Sequence, residues 1–247
     1  MREVREMKRS LVATVVLGLV IVAPAVGAGA TAPTSLSGLT GAQVVAASEA
    51  AALAQGAVTR SVTADILGSS LTSLTVTMLR SGIQFGRIKG HKVEAIYLHG
   101  VVYVKLDAVA AKTYFGASVT GVANKWISFT KGHTGFAIFD QGLTLPGLLK
   151  ILGPSGTLSV TGPTTFDSQS VLAVSGNLYG ATSSIQGTQT LYVSTTAPFL
   201  PVGMVVLSAL SGSNRPFETV TFKNWGVQAD ITRPANFTPS WQTKIGA

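Results

Sequence analysis

The chain has 247 residues, of which 46% are hydrophobic and only 11% are charged. This balance excludes an intrinsically disordered chain, because disorder needs low hydrophobicity and high net charge. The formal net charge is +8, but the basic residues are scattered. Scattering does not support a nucleic-acid-binding footprint and permits a mild attraction to anionic membrane or glycan surfaces. There is no cysteine, so disulfides, thiolate metal sites and cysteine nucleophiles are excluded.

The N-terminus has the pattern of a secretory signal peptide. Basic residues open the chain, and an apolar run over residues 11–26 follows. That run is shorter than the roughly 20 residues that a bilayer span usually needs, and small residues around Ala28 and Ala30 offer cleavage sites. We predict a cleaved signal peptide over residues 1–30, a linker over 31–39 and one domain over 40–247. An uncleaved membrane anchor is the alternative.

Helix signals occur at three places in the mature chain. The first helix is predicted after Thr40, which is a good capping residue, and it ends at Gly56. A short second helix is predicted over residues 108–115, with Asp107 as its N-cap. A further helical region follows the polar loop after residues 126–129. Its clearest part begins after Thr144 and carries an apolar stripe at helical spacing, made of Leu145, Leu148, Leu149 and Leu152.

Strand-forming segments occupy most of the remaining chain, with turn residues between them. The segments are 57–66, 71–79, 83–88, 93–98, 101–106, 126–129, 157–161, 165–174, 190–194, 202–210, 217–223 and 226–231. We predict an α+β fold in which about eleven strands form one curved antiparallel sheet, a half-barrel, around a few helices.

The segment 71–79 alternates strictly between apolar and polar residues, which is typical of a strand with one covered face. We therefore expect one set of side chains to be covered and the other to face water. The expected covered set is Leu74, Val76 and Met78, and the expected wet set is Ser73, Thr75 and Thr77.

A family resemblance rests on the order of several short motifs. The run from Gly100 to Lys105, followed by Asn124-Lys125-Trp126-Ile127, resembles the "Gly-x-x-Tyr-Val-Lys … Gly-Lys-Trp-Val" signature of actinobacterial LppX/LprG-type envelope lipoproteins and their LolA-like relatives. Further matches are Ile151–Leu158, Leu191-Tyr192-Val193 with Pro198–Pro201, and Val220-Thr221-Phe222 with Trp225 and Val227. The resemblance spans residues 40–234.

The resemblance implies a half-barrel sheet around helices with an apolar cavity between them. Members of known function carry acyl-chain lipids or escort lipoproteins across the envelope. This chain departs from the lipoprotein branch because it has no cysteine for a lipid anchor. We therefore expect a protein that is secreted or in the cell envelope, outside the cytoplasmic membrane, without a lipid anchor.

No catalytic or metal-binding constellation is found in the sequence. His91 and His99 lie in predicted hairpin turns and His133 lies in a polar loop, and none has a second ligand at metal-site spacing. There is no Gly-x-Ser-x-Gly nucleophile elbow and no phosphate-binding glycine motif. The prediction is a non-enzymatic protein with no metal and no cofactor.

The predicted ligand site uses the apolar and aromatic residues of the central strands, because lipid sites are mainly apolar. The predicted lining is Leu74, Val76, Met78, Phe85, Tyr97, Tyr103 and Trp126. Lys89, Lys92 and Lys105 are the predicted rim residues for an anionic head group.

The first hypothesis is a carrier that holds a lipid or other apolar small molecule in a cavity between sheet and helices. The alternative is a structural or binding module with a filled core that contacts wall glycan or another envelope protein through a sheet edge or loops. A third hypothesis is a hydrolase that uses dispersed Ser, His and Asp residues. We expect a monomer. An anionic membrane surface or other envelope proteins are further expected partners, and no nucleic acid is expected.

Overall fold

The computed structural model describes residues 33–65, 70–115, 121–140, 142–180, 186–208, 217–240 and 243. The predicted signal peptide, residues 1–30, lies outside the described residues and stays a prediction. Because these ranges have gaps, the helices and strands named below are those of the described part of the chain.

Four helices are described: α1 (Gly41–Gln55), α2 (Ala108–Phe115), α3 (Thr134–Phe139) and α4 (Leu145–Leu152). Thr40 caps α1 in a reciprocal arrangement with Gln43, and Gly56 ends it in the left-handed conformation. Thr144 caps α4, and the predicted leucine stripe of α4 is buried as expected. Helix α3 lies in the helical region predicted before Thr144, but the sequence did not resolve it as a helix of its own.

Twelve strands form one sheet. Their bounds are β1 (Ala57–Asp65), β2 (Ser70–Met78), β3 (Ser81–Ile88), β4 (His91–Leu98), β5 (Val101–Leu106), β6 (Trp126–Thr130), β7 (Ser155–Phe166), β8 (Gln169–Asn177), β9 (Gly187–Ser194), β10 (Pro201–Ser208), β11 (Glu218–Lys223) and β12 (Phe237–Pro239). The order across the sheet is β12-β6-β5-β4-β3-β2-β1-β11-β10-β9-β8-β7.

The predicted fold class is confirmed, since a single open, curved sheet packs against a few helices. Three strand predictions were wrong in detail. The break between the strands predicted over 157–161 and 165–174 lies instead at Asp167 and Ser168, which have positive φ, so β7 continues to Phe166. No strand forms over residues 226–231. Instead, β12 pairs with β6, and that pair is parallel.

The helices cover one face of the sheet, which we call the inner face. Its side chains form two hydrophobic clusters. The first joins α1 and α4 to β1 and β8–β11 and includes Val44, Leu148 and Val220. The second joins α2 and α3 to β4–β6 and includes Val104 and Phe129. The core of the described chain is therefore divided.

A polar strip on β1 and β2 lies between the two clusters. Arg60 is directly opposite Thr75 across the β1–β2 pair, and Ser73, Thr75 and Thr77 are all buried. The face assignment made from the sequence was therefore wrong. In β2 the buried residues are Ser73, Thr75 and Thr77, whereas Leu74 is 47% exposed and Val76 and Met78 are only half-buried.

These polar side chains are buried because a loop segment, residues 142–143, lies over the strip. The Thr77 hydroxyl donates to the Gly142 carbonyl at 3.1 Å, and the backbone at Leu143 approaches Gly82 so closely that any Cβ there would collide with the Leu143 carbonyl oxygen. The guanidinium of Arg60 lies against Gly142. Small and polar side chains are buried here because a loop backbone covers them, and a backbone needs hydrogen-bond partners.

Candidate functional site

The outer face of β1–β6, opposite the helices, collects most of the predicted ligand-site residues. Because side chains alternate along a strand, the register places six of the seven on this face: Leu74, Val76, Met78, Phe85, Tyr103 and Trp126. Lys92 and Lys105 of the predicted rim are on it too. The structure thus brings these residues to one face, but it is the face opposite the four described helices.

Tyr97 is the exception among the predicted lining residues. It lies opposite Val102 of the inner face and packs edge-on against Phe136 of α3, with ring centroids 6.1 Å apart. Tyr97 therefore belongs to the second hydrophobic cluster and is separated from the other six by the sheet.

A groove runs across β1–β4 on the outer face, with a volume of about 500 Å³. Its two walls are rows of side chains from adjacent strands, and none of the described helices contributes to its lining. One wall is formed by Ser61, Leu74, Phe85 and Glu94, and the other by Thr63, Thr72, Arg87 and Lys92. We call this the outer groove.

The walls of the outer groove differ in chemistry. Leu74 and Phe85 are cross-strand partners and are 47% and 51% exposed, respectively. Such an exposed pair of large apolar side chains marks a binding surface more often than an isolated one does. The opposite wall carries two cations, Arg87 and Lys92, which are themselves cross-strand partners.

Arg87 and Lys105 each have a polar partner nearby. Arg87 donates to the Gly90 carbonyl at 2.9 Å within the β3–β4 turn, and Lys89 in that turn has a positive φ of 52°. Glu94, at the end of the apolar wall, lies 4.0 Å from the Lys105 ammonium. Lys105 is therefore engaged with Glu94, whereas Lys92 lines the groove.

A second depression, of about 440 Å³, lies further along the outer face at β5, β6 and β12. Its lining includes Trp126 and Phe237, which are partners across the parallel β6–β12 pair. Lys105 is the partner of Trp126 on β5, and its ammonium lies 5.9 Å from the indole centroid. Tyr103 is buried beneath the Phe237 ring, with centroids 5.1 Å apart.

Two of the histidines have structural contacts. His91 Nδ1 lies 3.2 Å from a carboxylate oxygen of Asp107, and Asp107 also accepts from the backbone N–H groups of Lys92, Val109 and Ala110. Burial acts to raise the pKa of Asp107, but the hydrogen bonds from the Ala110 and Lys92 N–H groups, together with His91, outweigh it and lower the pKa. His133 caps α3 by accepting from the Gly135 N–H.

The structure offers no metal-binding group in the part of the chain that it describes, since no three acidic or histidine side chains converge there. None of the described helices has both the length and the apolar character that crossing a bilayer requires.

Sequence reasoning missed Arg87 and Phe237. Arg87 could have been found from the basic run Arg87–Lys92 around the β3–β4 turn. Phe237 gave no such signal, because its strand has only three residues and pairs with β6 from more than a hundred positions away.

No family model and no curated protein matches the chain. Among solved structures, the crystal structure of LprF from Mycobacterium bovis is similar at 16% identity, covering 79% of this chain and 97% of that chain, with a TM-score of 0.47. An uncharacterized conserved protein from Thermus thermophilus is similar at 10% identity, covering 80% of this chain and 98% of that chain, with a TM-score of 0.46. Neither likeness indicates which residues bind a ligand.

Proposed function

We propose that this chain is an exported, non-enzymatic carrier of a lipid or other apolar ligand with an acidic group, and that the ligand lies in the outer groove. One observation supports this most directly: the exposed pair Leu74 and Phe85 faces a cationic wall across the groove. Export is proposed from the N-terminal signal pattern, and a role in the cell envelope from the family resemblance of the motifs.

The proposed position differs from the cavity between sheet and helices that the sequence favoured. The inner face packs into two hydrophobic clusters, and the strip between them is buried beneath residues 142–143. The outer groove is open to solvent and has a volume within the usual range for small-molecule sites. It has room for part of an acyl chain.

The apolar wall provides the main binding energy. Covering about eight methylene groups contributes about 6 kcal/mol before ordering costs, at about 0.8 kcal/mol per group. The cationic wall adds selectivity, because an acidic head group is attracted to Arg87 and Lys92 and a neutral one is not. Glu94 opposes this attraction only weakly, since it already lies beside Lys105.

The test compares palmitate with hexadecanol, which have the same chain length but differ in charge. Delipidated protein is titrated with each and binding is measured by native mass spectrometry. We expect both to bind and palmitate to bind several-fold more tightly. The double variant Leu74→Ser/Phe85→Ser should weaken both by at least tenfold. The control Leu207→Ser, also at an exposed leucine, should change neither.

The cationic wall is tested separately with Arg87→Gln/Lys92→Gln. This variant should lose the preference for palmitate and keep hexadecanol affinity. If the wild-type protein binds neither ligand, the carrier proposal is wrong. If the serine variants bind as the wild type does, the ligand lies elsewhere.

A second candidate function is an envelope module that binds a protein partner through a sheet edge. Strand β7 is the last strand in the sheet order, with twelve residues and few buried side chains. A long edge strand is a template for adding another strand. The irregular pairing around Pro163 shortens the regular part of that edge.

This candidate predicts a partner whose binding depends on the β7 edge. Val160→Lys places a charge on an exposed edge position, and edge lysines oppose strand addition. Under the second candidate, the wild-type protein cross-links to an envelope partner, this variant does not, and neither protein binds palmitate. Under the carrier proposal, palmitate binding is present whether or not such a partner exists.

A further inference from the structure

The second depression differs from the outer groove in its chemistry. Its base is aromatic, since the β6–β12 register places Phe237 beside Trp126. Both side chains are only half-buried. The other lining side chains are mostly polar: Lys105, Asn124, Lys125, Asn236 and Thr238. An acyl chain would leave these polar groups without partners, so this is a poor lipid site.

The polar side chains are held at the rim by two separate segments. Asn124 has a positive φ of 59°, and its backbone N–H donates to the Leu106 carbonyl at 2.7 Å. The turn that ends at β6 therefore fixes Asn124 and the exposed Lys125 beside Trp126. Asn236 comes from the other side, where it directly precedes β12.

These groups match the surface of a sugar ring. A pyranose has a C–H face that packs on an aromatic ring and hydroxyl groups that both donate and accept hydrogen bonds. Primary amides provide both functions in one side chain. Lys105 is engaged with Glu94 at 4.0 Å and lies near the indole, and the guanidinium of the exposed Arg233 lies over the Phe237 ring, 5.5 Å from its centroid. Lys125 is an exposed cation in the lining itself. It would favour an acidic group on the sugar.

We propose that the Trp126–Phe237 depression is a binding site for an acidic saccharide, separate from the lipid site of the outer groove. Trp126 stacks on the sugar ring, Asn124 and Asn236 bind its hydroxyl groups, and Lys125 binds a carboxylate or phosphate. The site would hold the protein on an acidic glycan and leave the outer groove open.

The proposal is tested with tetragalacturonate, an acidic oligosaccharide, and with a neutral galactose tetrasaccharide, by calorimetric titration of the full mature protein. We expect tetragalacturonate to bind at least threefold more tightly than the neutral probe. Trp126→Ala should weaken both by at least tenfold. Lys125→Gln should remove the preference and keep neutral binding.

Matched controls separate binding from folding. Trp225→Phe removes another indole, which donates to the Pro201 carbonyl at 3.1 Å away from the depression, and it should bind as the wild type does. Asn236→Ala, at an exposed rim position, should weaken binding at least threefold with no change in thermal midpoint. This variant keeps the test decisive if Trp126→Ala does not fold.

The saccharide proposal and the lipid proposal can be tested independently of each other. Leu74→Ser/Phe85→Ser should lose palmitate and keep tetragalacturonate. If the wild-type protein binds neither oligosaccharide, or if both Trp126→Ala and Asn236→Ala bind as the wild type does, the saccharide site is wrong. The lipid titration is unaffected by that result.

Discussion

The two faces of β2 contrast sharply. Thr75 on the inner face is fully buried, and its neighbour in sequence, Leu74 on the outer face, is 47% exposed. The hydroxyls of Ser73 and Thr75 and the Nε of Arg60 have no hydrogen-bond partner among the described residues. The polar face is thus covered and the apolar face is open. The contrast teaches that alternation defines which residues share a face, whereas the covering segment decides which face is buried.

The largest expected effect is the difference in stability between two single variants, one on the inner face and one on the outer face. Phe129, on the inner face, is fully buried, whereas Phe85, on the outer face, is 51% exposed. We expect Phe129→Ala to lower the free energy of unfolding by about 3–5 kcal/mol because it leaves a cavity. Phe85→Ala should change it by less than about 0.5 kcal/mol. Urea unfolding measures both, and equal losses would contradict the face assignment.

The next largest effect on stability is expected at Glu49, a half-buried carboxyl group in α1. Burial raises the pKa of Glu49, in α1, to about 7. Between the unfolded value of 4.5 and about 7, the folded state binds more protons than the unfolded state. Stability therefore falls as pH rises through this window and levels off above it. Glu49→Gln should be more stable than the wild type at pH 8, by about 1–2 kcal/mol.

The two proteins should converge in stability near pH 4, where Glu49 is protonated in both states. The outer-face control is Glu94→Gln, for which we expect a difference below about 0.5 kcal/mol at pH 8. Thermal or urea unfolding from pH 4 to pH 8 gives these curves. Parallel curves for wild type and Glu49→Gln would contradict the burial of this carboxyl.

A third pair of variants, at Thr75 and Leu74, tests which face of β2 is buried. Thr75→Val keeps the shape and removes a buried hydroxyl without a described partner, so we expect stability to be unchanged or raised by about 1 kcal/mol. Leu74→Ser should change it by less than about 0.5 kcal/mol. If Leu74→Ser instead cost several kcal/mol, the outer face would be covered in solution.

The smallest effect is expected for the ion pair of the outer face. Lys105→Gln removes the contact with Glu94, which is 4.0 Å long and partly exposed. Such pairs contribute about 0–1 kcal/mol. We expect a loss below about 0.5 kcal/mol in urea unfolding, similar to Lys150→Gln on the exposed side of α4. A loss of several kcal/mol would show that Lys105 is part of a buried network.

Local signals in the sequence predicted much of the fold. The caps at Thr40 and Thr144 and the leucine stripe of α4 were right because capping and helical spacing depend on nearby residues. Strand β12 was missed because its pairing with β6 is distant in sequence.

The candidate site was predicted in composition but not in position. Alternation correctly grouped Leu74 with Val76 and Met78. It could not show that residues 142–143 cover the other face, because that contact is between segments more than sixty residues apart. Tyr97 was grouped with residues of the other face because both faces of β4 carry apolar residues, so alternation could not distinguish them.

The most direct test of the central claim is to map where a lipid touches the protein. A palmitate analogue with a diazirine near the chain end is bound, photolysed and located by peptide mass spectrometry. If the ligand lies in the outer groove, adducts appear on β2 and β3, around Leu74 and Phe85, and disappear in the double serine variant. Adducts confined to α1 and α4, around Val44 and Leu148, would place the lipid between the sheet and its helices and contradict the account.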